Sequence, residues 1–493
     1  MLTEMTTDPA RRPGHSDVLV GLQYGDEGKA KIIDLIAPDY DVVARFNGGA
    51  NAGHTIDTPA GRVVLQQVPS AVFHPGCELY IGSGCVLNLV KLRDELALLR
   101  TVGVDLADRL RISDRCAVVQ PVHFLLDQRT GAAIGTTGNG IGPCYADRAA
   151  RTRDGVRCNL QLRDLLEDPE GTAALMLAAV ERELKEEADA GERLAAERER
   201  IAAMRESAEA LRPMVTTDRT HLARRVADGA RVLFEGAQSL MLDVVQGDQP
   251  YVTSSHTLPG HAYVGGDLPP RYHRHTIGVA KAVVSRVGHG PFPSELGAER
   301  SAAYFAEACR TGRGRTEEQA EHDPQQLLGS ADPLDVGTAL RMLTGEYGSG
   351  TGRPRRIGLL DLEQLREQVT LHGVDVVYLN KTDCLAHYRD SHYGGVPVQL
   401  AAAAPGEPGS ERIEVLPVFD AEQVRAAVAG LPGLDGVPAS MLAFKEYVEQ
   451  RIGAPVIGLG LGPERDCTAE FARPGTLPAG LPAALPAARQ AGG

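Results

Sequence analysis

The sequence predicts an α/β protein with a large, mostly parallel central sheet, helices on both faces and helical insertions. Three observations predict it. Asp17-Val18-Leu19-Val20 reads as a short buried strand, a glycine-rich loop follows, and Lys31 to Ile36 reads as a helix that stops near Pro38. Strand, glycine loop, helix is the order that aims helix N-terminal amides at a phosphate. Asp41 to Phe46 reads as a second strand, which brings another glycine-rich loop, Asn47 to Thr55, to the same sheet edge. Val374 to Leu379 reads as a third strand and ends on Asn380-Lys381-Thr382-Asp383. Strands alternating with helices imply a parallel sheet whose ligands lie outside its carboxyl ends.

The other elements follow in order. Residues 1–16 are polar, carry Arg11-Arg12-Pro13 and lack the apolar core of a secretory signal, so a disordered leader is expected. Residues 160–212 are rich in Ala, Glu, Arg and Leu and read as an insertion of long helices. The charge between Glu181 and Arg205 suits a solvated face laced with i,i+4 pairs. Met441, Phe444, Val448 and Ile452 recur at helical spacing, and Gly453 and Pro455 end that helix before a strand at Val456 to Leu459. Residues 17–470 are expected to form one domain. Residues 471–493 are Pro, Ala and Gly with few apolar groups, and disorder is expected there.

Composition narrows the function. Of 493 residues, 43% are hydrophobic and 24% charged, ordinary values for a globular chain. The net charge of −14 argues against coating a nucleic acid, which needs a basic face. Eight cysteines without a CxxC pair suit reduced thiols in the cytoplasm. No apolar run reaches the ~18 to 20 residues of a membrane helix.

The first loop, Gly25-Asp26-Glu27-Gly28-Lys29-Ala30-Lys31, is not a Walker A loop. Gln23 stands where that motif has its first glycine, and Ala30 where it has the metal-binding hydroxyl. Lys29 still suits phosphate oxygens. A metal there needs another protein oxygen, and Asp26 offers it. A carboxylate beside a phosphate is repelled unless a metal or a proton transfer justifies the pairing. The site therefore binds nucleotide phosphate and moves a proton, in a P-loop-NTPase-like setting. Asn380-Lys381-Thr382-Asp383, directly after a strand, matches the NKxD pattern of guanine readers; alone it would equally suit a capped surface turn. An aspartate accepts from guanine N1 and the 2-amino group together, which adenine does not offer. His54, in Gly53-His54-Thr55, suits a proton donor to an oxygen gaining charge. Gly135 to Pro143 is a second loop of amides and hydroxyls, followed by Arg148, Arg151 and Arg153. Gly348 to Arg356 joins a glycine loop to Arg353, Arg355 and Arg356, whose planar forks suit carboxylates and phosphates.

Together these motifs resemble the adenylosuccinate synthetase family. The resemblance runs from about residue 17 to 470 through GDEGKAK, NAGHT, GTTGNGIGP, Phe234-Glu235-Gly236-Ala237-Gln238, Tyr251 to Ser255, Arg286-Val287-Gly288 with Gly290 to Pro293, GTGRPRR, NKTD and Gly462 to Arg465. It implies a GTP- and Mg²⁺-dependent ligase that joins IMP to L-aspartate. The position of Asp26 takes the N1 proton, the 6-oxygen attacks the γ-phosphate, and His54 assists as an acid. The amine of aspartate then displaces phosphate at C6. The resemblance places IMP contacts on Asn51, Thr137, Gln238, Thr253 and Arg353, with Gln238 also at the catalytic centre. Another IMP contact, at Arg151, comes from the partner subunit of a homodimer. It places the metal on Asp26 and the backbone oxygen of Gly53. GTP falls on the loop residues Gly25, Glu27, Gly28 and Lys29, on Thr55, and on Arg355, Lys381, Asp383 and Gly460 to Gly462. The aspartate loop is Ser349 to Arg355, including Thr351.

The chain departs from the family pattern at Tyr24, Ala30, Asn139, Ser239, His256 and Ser349-Gly350, and has a longer loop at about 297–344. Asn139 replaces a cation, Ser239 a glycine, and Ser349-Gly350 a pair of threonines. The changes gather around purine and amino donor. Two further readings stay open: a paralogue using the same chemistry on another purine-like nucleotide or amino donor, and a non-catalytic GTP-binding protein.

Overall fold

The computed structural model describes residues 14–51, 53–58, 61–130, 136, 138–187, 189–348, 352–403, 411–420, 423 and 437–477. The expected leader falls almost wholly, and the tail from 478 wholly, outside the described residues. The main sheet has ten strands and is mostly parallel, as the sequence predicts. In chain order they are β1 (Ser16–Gly21), β2 (Val42–Arg45), β3 (Glu78–Ile81), β4 (Leu110–Ser113), β5 (Val215–Thr216), β6 (Val232–Ser239), β7 (His273–Lys281), β8 (Val376–Asn380), β9 (Val456–Gly460) and β10 (Thr468–Glu470). Where a single domain is expected over 17–470, the chain's contacts divide it into two compact units interleaved in sequence.

The first unit comprises residues 1–19, 33–238 and 243–274. Its strand order is β5-β4-β3-β2-β6-β1. Val42 to Arg45 pair in parallel with Glu78 to Ile81 on one side and with Val232 to Glu235 on the other. β2 is buried along its whole length, so it reads as a continuous apolar run rather than an alternating one. The expected helical insertion is present as Leu162–Glu167, Pro169–Leu184 and Ala190–Leu211. Its charged face is solvated, but a stripe of Ile201, Met204, Ala208 and Leu211 is buried. Val180 and Leu184 share a core with Val122 and Leu125 of the helix Pro121–Thr130.

The second unit comprises residues 20–32, 239–242 and 275–493. It holds β7-β8-β9-β10, parallel except for the last pair. The glycine loop belongs to this unit, and Leu22 N–H donates to Val279 of β7 at 2.9 Å. The expected helix before β9 runs Ala439–Ile452, buries Met441, Phe444, Val448 and Ile452, and ends at Gly453 with φ +77°. The segment expected as a longer loop at 297–344 is instead helical: Ala298–Thr311, Arg315–Glu321, Pro324–Leu328 and Pro333–Thr344. The reason is local. Asp323 and Asp332 each cap a helix whose first residue is proline, and Ser301, Phe305 and Ala308 make a buried stripe. Residues 471–477, expected as disordered, are partly tied down: Phe471 N–H donates to Ile457 at 2.8 Å, and Pro474–Thr476 forms a 3-10 turn.

Candidate active site

In the second unit the glycine loop closes on itself through Glu27. This carboxylate is buried and accepts from the Gly25 amide at 2.9 Å, the Gln23 amide at 3.2 Å, Lys29 Nζ at 2.9 Å and Ser239 Oγ at 2.6 Å. Burial pushes its pKa up, but Lys29, Lys281 and Ser239 outweigh that and hold it below the usual range. Glu27 is thus an internal brace, and Ser239, a departure from the family pattern, supplies one of its bonds. Asp26, in contrast, is exposed at the loop tip with φ +55°. Its Oδ2 lies 2.6 Å from Arg355 Nη2. Lys281, buried at the end of β7, holds the loop from beneath by donating to the Gly25 carbonyl at 2.9 Å.

The NKxD segment locks onto the same loop. Asn380 Nδ2 donates to the Glu27 carbonyl at 2.7 Å. Gly28, with φ +86°, and Gly460 both have to be glycine here. A Cβ would lie 2.7 Å from Asn380 Nδ2 at the first and 2.2 Å from Asn380 Oδ1 at the second. Thr382 Oγ1 donates to the Gly460 carbonyl at 2.8 Å, and Lys31 Nζ to that of Gly462 at 2.7 Å. Burial pulls Lys31 down to about 8. Asp383 opens the turn Asp383–Asp390 and is partly exposed. Lys381 Nζ is bonded to Glu346.

Glu346 is the residue the sequence does not reveal. Its buried carboxylate meets three cations: Lys381, Arg355 at 2.7 Å and Lys281 at 3.9 Å. Ser285 Oγ adds a bond at 2.5 Å. Burial opposes ionisation, but the cations prevail and hold Glu346 well below the usual carboxylate range. One side chain therefore ties the lysine expected at guanine to the arginine that grips Asp26.

The first unit holds the other loop. His54 Nδ1 lies 2.5 Å from Glu235 Oε1, and Ser70 gives that carboxylate its amide and hydroxyl, both at 2.7 Å. Burial raises the pKa of Glu235, while His54 and Arg45 bring it below the usual range. A carboxylate at Nδ1 keeps a proton on that nitrogen and orients the ring, so Nε2 is the nitrogen left to exchange a proton, and it can donate one only from the imidazolium. Asn47 ties its loop to β6 by exchanging bonds with the Ala237 amide and carbonyl at 2.9 and 3.1 Å. The next residue, Gln238, has φ +57°, and its side-chain oxygen is buried with no partner among the described residues. That acceptor suits a donor on a ligand. Asn51 Oδ1 accepts from the Gly49 amide at 3.1 Å.

Thr253 is partly buried and Gly53 exposed. Arg151 is exposed at the end of the helix Ile141–Ala150, with φ +69°. Thr55 pairs through its backbone with Val64. Arg353 is exposed. Thr137 and Thr351, with Ser349 and Gly350, lie outside the described residues. Asn139 accepts from Lys91 Nζ at 2.7 Å, which brings a cation from the helix Leu89–Thr101 to that loop. The loop also suits magnesium. Among the described residues no three His, Cys, Asp or Glu side chains form a metal cage. Magnesium on a nucleotide needs only one or two carboxylates besides the phosphates, and Asp26 offers one at the loop tip. No helix among the described residues is long and apolar enough to cross a membrane.

A phosphate loop locked to an NKxD segment in the second unit, and a carboxylate-backed histidine in the first, suit an enzyme of the nucleotide-dependent ligase class. The adenylosuccinate synthetase family model matches residues 18–469, and the chain belongs to that family, whose members are GTP-dependent ligases forming a C–N bond between IMP and aspartate. Adenylosuccinate synthetase 2 of Cupriavidus pinatubonensis is 53% identical over 93% of this chain and 98% of its own. Adenylosuccinate synthetase of Paraburkholderia phytofirmans is 34% identical over 94% and 97%. The fully ligated adenylosuccinate synthetase of Plasmodium falciparum superposes with a TM-score of 0.71 at 26% identity, covering 93% of this chain and all of that one. Cyanophage S-2L succinoaminodeoxyadenylate synthetase, solved with dGMP and dATP, shares the fold with a TM-score of 0.56 at 19% identity, covering 93% and 96%.

Proposed function

We propose that this chain makes adenylosuccinate from IMP and L-aspartate with Asp26 as the base and His54 as the acid. The observation that carries the reading is the placement of Asp26: an exposed carboxylate on a phosphate loop that is otherwise closed by its own buried glutamate. Asp26 takes the N1 proton of IMP, which puts charge on the 6-oxygen. That oxygen attacks the γ-phosphorus of GTP, and the bond to the β,γ-bridging oxygen breaks, releasing GDP. His54 meets the developing charge with a proton held at Nε2, its ring fixed by Glu235. The aspartate amine then forms the bond to C6, and phosphate leaves with the former 6-oxygen. Magnesium, held by Asp26 and the Gly53 carbonyl, would neutralise phosphate charge during transfer. Lys29 and the loop amides bind the phosphates, Gln238 and Asn51 the purine nucleotide, and Ser349 to Arg355 the amino acid.

Phosphate release and product mass, with GTP and IMP and with or without aspartate, test this directly. Adenylosuccinate at ordinary rates supports it. Product only with another 6-oxopurine nucleotide or donor would transfer the same chemistry to a different substrate pair. The guanine assignment makes a separate prediction. Asp383→Asn is expected to cut the preference for GTP over ATP by about 10²-fold or more, because an amide NH₂ then faces the guanine donors. An unchanged GTP/ATP ratio of kcat/KM would refute it.

The proposed enzyme is a homodimer in which Arg151 reaches the partner's IMP. Mixing Arg151→Leu with Asp26→Asn subunits is then expected to restore about a quarter of the parent activity, since half of randomly paired dimers carry one intact site of two. Two inactive variants that stay inactive when mixed and re-equilibrated would remove Arg151 from the shared site.

A further inference from the structure

We propose that Glu318 positions the amino-donor loop from outside the site, so that the added helices between Gly297 and Gly345 set the affinity for the amino acid. The inference rests on reading Ser349 to Arg355 as the aspartate loop.

The loop has a narrow neck. Tyr347 and Pro354 form an isolated β-bridge, and Gly348 N–H donates to the Arg353 carbonyl at 2.8 Å. Glu318, on the short helix Arg315–Glu321, grips both sides of that neck. Its buried carboxylate accepts from Tyr347 Oη at 2.6 Å on the incoming side. It also pairs with Arg341 through Nε at 3.0 Å and Nη2 at 2.5 Å. Arg341 Nη1 in turn donates to the Arg355 carbonyl, on the outgoing side, at 3.1 Å. Tyr304 Oη, from the helix Ala298–Thr311, completes the set at 2.6 Å. Burial raises the pKa of Glu318, but Arg341 and the two tyrosines hold it below the usual range.

Two more contacts run along the outgoing arm. A Cβ on Gly314 would sit 3.1 Å from the Gly352 carbonyl, so the turn before the short helix packs on the loop backbone. The Cys309 thiol is hydrogen-bonded to Arg353, the side chain expected to meet substrate. The helices therefore back the loop along its described outgoing arm, and Glu318, with Arg341, joins both ends of its neck. A buried carboxylate is costly unless its bonds are all made, and here they are made to the supports of a binding loop. Glu318 is a positioning residue: it acts through Tyr347 and Arg341.

The test is steady-state kinetics on the full chain, varying aspartate, IMP and GTP in turn, for the parent, Tyr347→Phe and Glu318→Gln. Tyr347→Phe removes one bond and keeps the ring. It is expected to raise the aspartate KM about fivefold and Glu318→Gln at least about tenfold, several times more than the KM values for GTP and IMP rise. If Glu318→Gln does not fold, Tyr347→Phe decides alone. An aspartate KM within about twofold of the parent in Tyr347→Phe, whatever its melting temperature, overturns the proposal, as does an equal rise in all three KM values. A parent chain that makes no adenylosuccinate from IMP, aspartate and GTP would instead overturn the reading of the loop, before any variant is compared.

Discussion

Asp26→Asn is expected to fold as the parent does and to turn over about 10²- to 10⁴-fold more slowly, the range for losing a positioned general base. The fold should not notice the change. Asp26 sits in the left-handed region, which asparagine tolerates better than other branched or bulky side chains. Its side chain is 35% exposed, so the ion pair with Arg355 contributes little to stability. What the variant loses is the charge that draws a proton from N1. A melting curve and the rate of adenylosuccinate formation, measured on the same preparation, separate the two effects. A near-parent kcat would mean that another group removes the proton, and the mechanism above would fail at its first step.

The parts of this site that were legible in the sequence are those whose partners lie close along the chain. Strand, glycine loop and helix from Asp17 to Ile36 were legible as elements because their order is set by neighbouring residues. The NKxD segment is legible for the same reason: it follows a buried strand directly. The structure adds why Asn380 is there, since its amide bonds the Glu27 carbonyl across 353 residues of chain. The carboxylate behind His54 was not legible. Ser70 and Glu235 are 165 residues apart in sequence, and Glu235 sits in mid-strand on β6, opposite Arg45 of β2, where no local pattern ties it to the His54 loop. Glu27 was misleading in a different way. A glutamate in a phosphate loop invites a ligand role, but loop closure turns it inward onto the amides and Lys29.

The helices at 298–344 were missed although their signals are local. Asp323-Pro324 and Asp332-Pro333 are cap-plus-N1 pairs, and Gly297, Gly312 and Gly345 take positive φ at helix ends. The Lys91–Asn139 contact shows a related limit. Lys91 and Asn139 are 48 residues apart, and a single sequence does not display that they meet.

Glu346→Gln is expected to damage stability and nucleotide use together, unlike Asp26→Asn. The substitution keeps the shape and one acceptor oxygen, but Lys281, Lys381 and Arg355 lose their shared negative charge in a buried setting. Breaking a buried ion pair from one side costs about 3 kcal/mol or more, and here three cations are affected, so the melting temperature should fall by several degrees. The functional consequence follows from position. Glu346 holds Lys381 at the end of β8, and without it the GTP KM should rise about tenfold or more. It also holds Arg355 from behind while Asp26 holds it from in front. Once Glu346 is neutral, the guanidinium is no longer held from behind, so Asp26 loses the fixed partner that places it and kcat falls as well. Aspartate affinity should change less, because the neck of the donor loop is held by Glu318. An unchanged melting temperature with parent-like GTP KM would show that the three cations do not depend on this carboxylate, and the link between guanine reading and the catalytic aspartate would be lost with it.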